Sequence, residues 1–316
     1  MRKFNCSQLM SFYISYSTKA YLLKEGMLRE MIGDVMNENS GYSKSLLESL
    51  RTDIISKSDD FSEITGGFDQ LLNALSTSLN SGTILLLSKV MVVRDRSEVQ
   101  VSYRVHRHSS ELRTITADYI ITSVSAKAIR LITFKPLLSP DKMDTLCSVR
   151  YTSATKVVLA CDEPFWKQDS IQGRVSITDC PSCYIYYPSH RLPNGKCLLA
   201  SYTVDDDSIF FPSMKHDQVV DIILDDLGTV HQIPKEELQS ICSSSVVKHW
   251  SLDPFTMDVF AEFTPYQFAD YSKQLFQPEG CIHFAGERTS LPNAWMDTAI
   301  KSGLQATRNI QAALDK

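Results

Sequence analysis

The segment from Gly280 to Leu314, GCIHFAGERTSLPNAWMDTAIKSGLQATRNIQAAL, combines residue types that could hold a polar ligand. Its short apolar run IHFA predicts a strand, and Glu287 follows near the carboxyl end of that strand. A carboxylate there can accept hydrogen bonds from hydroxyl groups, such as those of a sugar-alcohol chain. The helix predicted from about Asp297 would add N–H groups and a positive dipole end, which favour an anion or an electron-rich carbonyl.

The same helix carries small residues along one face, because Ala299, Gly303 and Ala306 recur at i, i+4 and i+7. This stripe predicts close packing on a sheet or on a flat ligand. Asn293 or Asp297 could cap the helix N-terminus. An ordinary close-packed terminal helix with a solvated glutamate fits the same residues, so the pattern alone leaves both alternatives open.

Two polar residues lie inside apolar runs elsewhere in the chain. Lys156 lies within SATKVVLAC, where a charge is costly unless it has a partner. Tyr202 lies within LLASYTVDDD. A lysine that reaches solvent from an edge strand and a half-buried strand tyrosine are the structural alternatives to a functional role.

The cysteines leave the redox state of the chain open. There are eight, at positions 6, 147, 161, 180, 183, 197, 242 and 281, and their number fits either a reduced chain or one with a few disulfides. Cys180-Pro-Ser-Cys183 is a lone C-x-x-C without a second pair or a histidine at ligand spacing, so we predict no metal site there. The simpler interpretation is that Cys180 and Cys183 are loop cysteines in a turn formed around Pro181.

Composition limits the class of protein. A chain of 316 residues with 43% hydrophobic content can bury a large core and is predicted to form two subdomains. Its net charge of −5, without a block of Lys or Arg, argues against a nucleic-acid partner. We predict no membrane span, because no apolar run approaches about 18 residues, and no signal peptide, because the first residues lack a continuous apolar stretch.

Hydrophobic periodicity predicts a mixed α/β fold. The first 55 or so residues read as helical, and a buried strand is predicted at 84–93, followed by alternating strands that begin near Val99 and Ile115. The closing strand-loop-helix belongs with the region 65–150 rather than with its immediate neighbour, so the domains are predicted to interleave. The other predicted helices are 19–37, 43–50, one after Gly66-Gly67, 217–227 and 234–241, the last with Pro234 at its first position, and the other strands are 154–160, 182–187 and 198–204.

The segment from Gly280 resembles the C-terminal FAD motif of flavin-dependent amine oxidases, and specifically that of the L-amino-acid oxidases. Eight further blocks resemble that family in its own order: YSTKAYLLKEG, MIGDVMNENSGY, FSEITGGFDQL, ITADYIITSVSAKA, SATKVVLACDEPFW, IYYPSH, KHWSLD and FTPYQF. The resemblance runs from about Asn5 to the end of the chain. It implies the C-terminal two-thirds of an FAD-linked amine oxidase fold: a helical remnant (1–58), a partial Rossmann-like FAD domain (59–150 and 276–316) and a mixed-sheet substrate domain (151–275).

The resemblance implies FAD as the cofactor and assigns contacts to it. Glu287 would bind the ribityl and ribose side of FAD. The other implied contacts are Ala294, Trp295 and Met296 beside the flavin ring, Ala299 where relatives often offer a hydroxyl, Trp250 flanking the flavin, and Val90 meeting the adenine end through its backbone.

The resemblance also implies the reaction, which is oxidation of an L-amino acid to a 2-oxo acid with release of ammonia and hydrogen peroxide. The amino acid and O2 would be its small-molecule partners, and no metal is needed. Lys156 would hold a water near flavin N5, and the Tyr202 hydroxyl would bind the substrate carboxylate. Phe260, Ala294 and Trp295 would line the pocket for the substrate side chain.

The sequence departs from the family pattern in several places. It contains no G-x-G-x-x-G loop, since Gly66-Gly67 lacks the third glycine, and the arginine that would clamp the substrate carboxylate is also missing. Residues 51–52 include no histidine where many relatives have one. We therefore expect little or no FAD to be bound by the chain as it stands. A truncated, non-catalytic form is one alternative, and a monoamine or polyamine oxidase relative is another that Tyr202 disfavours.

Family cysteines and one sequon bear on location. By resemblance, Cys161 and Cys242 form a disulfide, whereas the family partner of Cys6 is not found in the sequence. Asn5 lies in the single N-x-S/T sequon and is a candidate glycosylation site. The resemblance implies a secreted or lysosomal protein and a possible homodimer.

Overall fold

The computed structural model describes residues 6–27, 43–56, 64–95, 98–105, 110–188 and 196–315. These residues form two compact units. Unit 1 contains the described residues of Met1–Tyr21, Ser43–Tyr151 and Phe255–Lys316, and unit 2 contains those of Leu22–Tyr42 and Thr152–Pro254. The domain boundaries derived from the sequence remain predictions, and Asn5 lies outside the described residues.

Unit 1 contains a four-stranded sheet and a separate parallel pair of strands. The sheet has the order β3-β2-β1-β5, with β1 antiparallel to β2 and parallel to β5. In the second sheet β4 and β13 run parallel, with Ile282 opposite Ile120 and Phe284 opposite Thr122. The helices and strands assigned to unit 1 are α1 (Cys6–Tyr13), α3 (Leu46–Ser56), α4 (Asp69–Thr77), β1 (Ser88–Asp95), β2 (Val99–Val105), β3 (Leu112–Ala117), β4 (Ile120–Thr122), α5 (Ala126–Ile129), β5 (Thr133–Lys135), α6 (Pro140–Ser148), β12 (Phe260–Ala261), α10 (Gln267–Phe276), β13 (Ile282–Phe284) and α11 (Met296–Leu314); α2 (Thr18–Lys24) and β6 (Tyr151–Thr152) each contain a boundary between the units.

The core of unit 1 lies between β1, β2, β13 and the helices α5, α6 and α10. Helix α6 shows how the sequence sets these elements. Ser139 is its N-cap, with a side chain that accepts from the Lys142 N–H, and Pro140 occupies its first helical position. Phe284 and Leu146 are buried in this core, which fixes the end of β13 that leads into Glu287.

Unit 2 contains one five-stranded sheet with the order β11-β7-β10-β9-β8. Alternate residues of β7 are buried, and they pack with α8 and α9 into a second core that includes Val157, Leu159 and Ile223. The elements of unit 2 are β7 (Ala154–Cys161), β8 (Val175–Ile177), β9 (Tyr184–Tyr186), β10 (Lys196–Val204), α7 (Asp205–Ser208), α8 (His216–His231), α9 (Lys235–Ile241) and β11 (Cys242–His249).

The predicted disulfide between Cys161 and Cys242 is confirmed, since the two residues are bridged and lie opposite each other in β7 and β11. The mixed α/β class is confirmed as well, and most predicted elements are present with shifted ends. Strand β11 was not predicted. Cys6 begins α1, and its side chain is not described.

Three predicted element boundaries were wrong in instructive ways. The helix predicted at 19–37 ends at Lys24, because Gly26 has φ 94°. The Gly26 N–H donates to the Leu23 carbonyl and the Met27 N–H to the Leu22 carbonyl, which closes the last turn. Residues 28–37 of that prediction lie outside the described residues. The strand predicted at 84–93 begins at Ser88, and residues 84–87 are exposed. Pro234 is the N-cap residue of α9 rather than its first helical residue.

Candidate functional site

The turn after β13 requires a glycine. Gly286 has φ 103°, a conformation that L side chains rarely adopt, and a Cβ built there would lie 2.9 Å from the Ser123 carbonyl oxygen. The preceding Ala285 N–H donates to the Thr122 carbonyl at 3.0 Å, so the chain turns directly beside the end of β4. The Gly286 N–H in turn donates to Ser302 Oγ of α11 at 2.9 Å. Strand, turn and helix are thereby joined at one residue.

Gly286→Ala should lower the free energy of unfolding by about 2–3 kcal/mol, because the left-handed backbone and the contact with Ser123 both oppose a Cβ. Gly303→Ala is the matched control, because Gly303 is helical and a Cβ there meets no described atom within 4 Å. That control should gain up to about 1 kcal/mol from helix propensity. Urea unfolding followed by circular dichroism measures both, and equal effects in the two variants would contradict this description of the turn.

Glu287 lies where the sequence predicts, just past the carboxyl end of β13. Its Oε2 accepts the N–H of Ala261 at 3.1 Å and the N–H of Ala294 at 3.3 Å. The Tyr151 hydroxyl donates to the same carboxylate, and burial raises the pKa of Glu287 above its ordinary value. An ionised carboxylate has about four acceptor positions, so Oε1, which accepts at 3.3 Å from Ala261, retains capacity for a ligand hydroxyl.

Arg288 and Tyr151 support this carboxylate, and neither was singled out in the sequence. Arg288 is buried, and its guanidinium donates to the carbonyls of Val124 and Thr122 at the end of β4. Its positive charge favours the ionised form of Glu287. The Tyr151 hydroxyl accepts the Ala126 N–H at 2.9 Å, which leaves its own proton for Glu287. Arg288 directly follows Glu287 in the sequence, and this adjacency could have indicated that its charge supports the carboxylate.

Helix α11 begins one residue earlier than predicted, at Met296, and the predicted caps were wrong. Trp295 is the N-cap residue, and within the described chain it makes no side-chain capping hydrogen bond. Asp297 is exposed and pairs with Lys301 at 2.6 Å. Asn293 is buried, and its N–H donates to Glu48 Oε1 at 3.3 Å. The uncapped first turn of α11 retains N–H donors for an electron-rich ligand atom.

The predicted small-residue stripe of α11 is only partly buried. The buried residues are Thr298, Ser302 and Ala306, and Gly303 faces open space among the described residues. Met296, Ile300 and Leu304 form an exposed apolar row at i, i+4 and i+8, each more than half exposed. The row is defined here as the outer face of α11. Of the predicted stripe, Ala306 is buried, whereas Ala299 and Gly303 are partly exposed and adjoin this outer face.

Ala294 has an uncommon backbone conformation next to Glu287. Its φ is 68°, which is left-handed and costs an alanine about 1 kcal/mol. The exposed Ala294 presents its N–H to the Glu287 carboxylate, and Trp295 follows as the N-cap of α11. Phe260 directly precedes the other amide donor, Ala261. The structure thus brings together Glu287, Ala294, Trp295 and the segment that contains Phe260.

The remaining residues of unit 1 predicted to contact FAD are Val90, Met296 and Ala299. Val90 is in β1 opposite Tyr103, beside an irregularity in the β1–β2 pairing, and its side chain packs against the core of unit 1. Val90 lies in the four-stranded sheet, whereas Glu287 follows β13 of the separate parallel pair. Met296 and Ala299 occupy the first turn of α11. Buried Glu48, which receives the Asn293 N–H, was missed, although an acidic residue inside LLESL was a usable signal.

Unit 2 brings together Lys156 and Tyr202. They are opposite each other in β7 and β10, and Lys156 Nζ lies 4.6 Å from the centre of the Tyr202 ring. Burial lowers the pKa of Lys156 below its ordinary value, because a charged amine loses solvation there. The ring of Tyr186 lies 6.2 Å from that of Tyr202. A partly buried amine beside a tyrosine can exchange a proton more readily than a solvated lysine can.

Trp250 lies at the end of β11 in the same unit. Lys248 Nζ is 4.8 Å from the centre of its ring and bonds to Asp253 at 2.6 Å. Lys248 pairs with Lys156 across β11 and β7, so Trp250 follows closely on the strand that flanks Lys156. Lys156, Tyr202 and Trp250 are therefore grouped at one region of this sheet.

Comparison with known proteins identifies the class. A family model described as flavin containing amine oxidoreductase matches residues 10–311. The L-amino-acid oxidases of Echis ocellatus and Bungarus fasciatus are each 42% identical, over 99% and 100% of this chain and 63% and 62% of their own. The structure of putrescine oxidase bound to putrescine has a TM-score of 0.79 at 17% identity, covering 96% of this chain and 69% of that one.

The chain therefore belongs to the flavin-containing amine oxidoreductases, as its motifs predicted. It is similar to L-amino-acid oxidases along its whole length, and it spans a little under two thirds of the length of those relatives. Its mixed α/β fold matches amine oxidase structures, and FAD is the cofactor that family and fold support.

The residues present fit one part of FAD. The Glu287 carboxylate retains acceptor capacity for ribityl hydroxyls, and the N-terminus of α11 offers donors to the carbonyl edge of a flavin ring. The described residues include no group of three potential metal ligands, and none of their helices is long and apolar enough to cross a membrane.

Proposed function

We propose that this chain serves in FAD-dependent oxidation of L-amino acids to 2-oxo acids, with release of ammonia and hydrogen peroxide. The observation that carries the proposal is 42% identity to L-amino-acid oxidases along 99% of the chain. The pairing of Lys156 with Tyr202 supports it, since these are the residues that the resemblance assigns to proton handling and to the substrate carboxylate.

The residues of unit 1 have the task of holding the cofactor. Bound FAD would take two electrons and two protons from the amino acid and pass them to O2. Glu287 would accept hydrogen bonds from its ribityl and ribose hydroxyls. Ala294, Trp295 and Met296 would present backbone N–H groups to its carbonyl edge, with Ala299 nearby and Val90 serving the adenine end.

The residues of unit 2 have the task of holding the amino acid and moving its proton. The Tyr202 hydroxyl would donate to the carboxylate, and the lowered pKa of Lys156 would let its amine take up or release a proton through a held water. Trp250 would flank the flavin. In unit 1, Phe260 and Trp295 would supply apolar surface that favours a neutral side chain. Hydrolysis of the resulting imino acid by water yields the 2-oxo acid and ammonia.

A second candidate is a non-catalytic form of such an oxidase. It is favoured by the absence of a G-x-G-x-x-G sequence and by the exposed apolar outer face of α11. In that form the chain would retain the fold without holding FAD tightly. A monoamine or polyamine oxidase activity is the third candidate, and the Tyr202 hydroxyl, which suits a carboxylate, disfavours it.

The test is release of peroxide by the purified chain supplied with excess FAD. Phenylalanine, leucine and methionine in the L form should yield peroxide, whereas their D forms and putrescine should not. Lys156→Met should lower kcat at least tenfold, and Tyr202→Phe should raise KM more than it lowers kcat. Folded chain without turnover of any L-amino acid would contradict catalysis and support the second candidate, and turnover of putrescine alone would support the third.

We further propose that the protein is secreted or lysosomal. The Cys161–Cys242 disulfide supports this, because such bonds persist in oxidising compartments. Glycosylation at Asn5 and a homodimer belong to the same proposal, and peptide mapping of the protein from culture medium with light scattering of its native form would test them.

A further inference from the structure

Cys180 and Cys183 form a cysteine pair at the tip of a β-hairpin in unit 2. Strands β8 and β9 are antiparallel, with Ile177 opposite Tyr184, and the C-x-x-C sequence lies in the loop between them. Both thiols are reduced and partly exposed in this structure. The proposed oxidation of amino acids makes no use of either residue.

The loop holds these two residues close together. The Cys183 N–H donates to the Cys180 carbonyl at 3.0 Å, which defines a four-residue turn over Pro181 and Ser182. Such turns place their end Cα atoms within about 7 Å, and disulfides need about 4.4–6.8 Å. The turn therefore needs little or no backbone movement to accept a bond between its two sulfur atoms.

The turn is also fixed to the rest of unit 2. The Cys180 N–H donates to Thr178 Oγ1 at 3.1 Å, and the Thr178 N–H donates to the Cys183 carbonyl at 2.9 Å. The Ser182 N–H donates to the buried carboxylate of Asp226 at 2.8 Å. Because these hydrogen bonds hold the turn in place, the two thiols have a high effective concentration relative to each other.

The same turn contacts Tyr202, the tyrosine proposed to bind the substrate carboxylate. An isolated β-bridge joins Cys183 to Tyr202, and the next residue, Tyr184, pairs with Tyr202 in the sheet. Ser201 Oγ, one residue before Tyr202, donates to the Ser182 carbonyl at 3.0 Å. A change of bonding within the turn therefore acts directly on the backbone that carries Tyr202.

We propose that Cys180 and Cys183 are a reversible dithiol–disulfide site that responds to hydrogen peroxide beside Tyr202. The identity of the oxidant rests on the proposed function, whereas the pairing of the thiols does not. In the first step the Cys180 sulfur attacks peroxide; the O–O bond breaks, and Cys180 sulfenic acid and water form. In the second step the Cys183 sulfur displaces the hydroxyl group from Cys180, giving the disulfide and a second water. The net reaction is two thiols and one peroxide to one disulfide and two waters.

The roles of the two sulfurs follow from their surroundings. Burial raises the pKa of Cys183 to about 12, and the Asp207 carboxylate, which accepts a hydrogen bond from the thiol, adds to this shift. Cys183 is therefore a poor first nucleophile, because the thiolate is the reactive form. Its proton can pass to Asp207 as the S–S bond forms, so Cys183 suits the resolving role and Cys180 the first one.

The experiment oxidises the purified chain with hydrogen peroxide and blocks the remaining thiols with N-ethylmaleimide. Mass spectrometry then examines the tryptic peptide VSITDCPSCYIYYPSHR, which holds both cysteines. We expect it to lose two hydrogen masses, to escape N-ethylmaleimide, and to accept two labels after dithiothreitol. Cys147 and Cys281 should keep their labels at the same peroxide dose. In Cys183→Ser the sulfenic acid on Cys180 should persist and react with dimedone.

Two outcomes overturn the proposal. The first is full labelling of both cysteines after peroxide has oxidised Cys147, and the second is pairing of Cys180 with Cys197 instead. Diamide serves as a second oxidant that needs no peroxide chemistry. A Cys180–Cys183 bond with diamide but not with peroxide would support the pairing and overturn peroxide as the oxidant. The assay needs no oxidase turnover, so its failure is distinguishable from failure of the proposed function.

Discussion

Removing the Cys161–Cys242 bond, by replacing both residues with alanine, should lower the free energy of unfolding of unit 2 by about 4 kcal/mol. The two cysteines are 81 residues apart in sequence, and a cross-link over a loop of that length removes much of the entropy of the unfolded chain. Cys161 is also buried among the side chains that form the core of unit 2. Urea unfolding, followed by circular dichroism at fixed pH, measures the change.

Two controls separate the bond from the loss of the side chains. Cys147→Ala removes an exposed thiol of unit 1 and should leave stability within about 0.5 kcal/mol. Adding dithiothreitol to the unaltered protein should reproduce most of the loss, and should have no effect on the double variant. A loss below about 1 kcal/mol in the double variant would contradict a stabilising bond of this loop length.

The second large effect is expected from Lys142, which is fully buried in unit 1. Its ammonium donates to the carbonyls of Gln274 and Gln277 at the end of α10, the latter at 2.6 Å. It also lies 3.9 Å from the centre of the Phe284 ring, in the strand that leads to Glu287. Burial is the main cause that lowers the pKa of Lys142 to about 7; nearby Glu279 opposes that change, and Arg288 adds to it.

The sign of the pH dependence follows from this lowered pKa. Between pH 7 and about 10.5 the unfolded chain binds a proton on Lys142 that the folded chain does not, so stability rises with pH in that window. The slope from this residue is at most about 1.4 kcal/mol per pH unit. At pH below 7 both states are protonated, and the cost of burying the charge is fully present.

Lys142→Met tests this assignment by urea unfolding at pH 6, 7, 8 and 9. The methionine side chain has a similar length and no charge, so the variant should lose the rise in stability above pH 7 that the unaltered protein shows. Lys301→Met is the matched control, because Lys301 is exposed, and it should keep the rise. The same pH dependence in Lys142→Met as in the unaltered protein would show that Lys142 titrates normally.

Strand periodicity and the closing motif made much of the fold predictable. Apolar alternation located β2 and β3, the strands that were predicted to begin near Val99 and Ile115. Residues 84–87 show the limit of this approach. Four consecutive apolar residues read as a buried strand, yet they are exposed, because burial depends on a partner surface that composition cannot reveal.

The sequence predicted Glu287 of the candidate site, but it did not predict the residues that hydrogen-bond to the site from elsewhere in the chain. Glu287 could be located because a strand, a glycine and a carboxylate follow one another in the chain. Tyr151 and Glu48 are far from Glu287 and Asn293 in sequence, and only the fold brings each pair together. The buried face of α11 was predicted correctly at Ala306 only. The sequence repeats small residues at positions 298–299 and 302–303, and periodicity cannot decide which of two adjacent rows is buried.

The central claim is that Glu287 and the first turn of α11 contact the flavin and ribityl half of FAD. Titration of the purified chain with FAD and with riboflavin, followed by flavin fluorescence, tests this most directly. Since the sequence has no glycine loop for the pyrophosphate, the two ligands should bind weakly, with dissociation constants within about threefold of each other. Glu287→Gln should weaken both at least tenfold, about 1.4 kcal/mol, and Asp315→Asn, at an exposed residue after the far end of α11, should weaken neither. Unchanged flavin binding by a folded Glu287→Gln variant would contradict the claim.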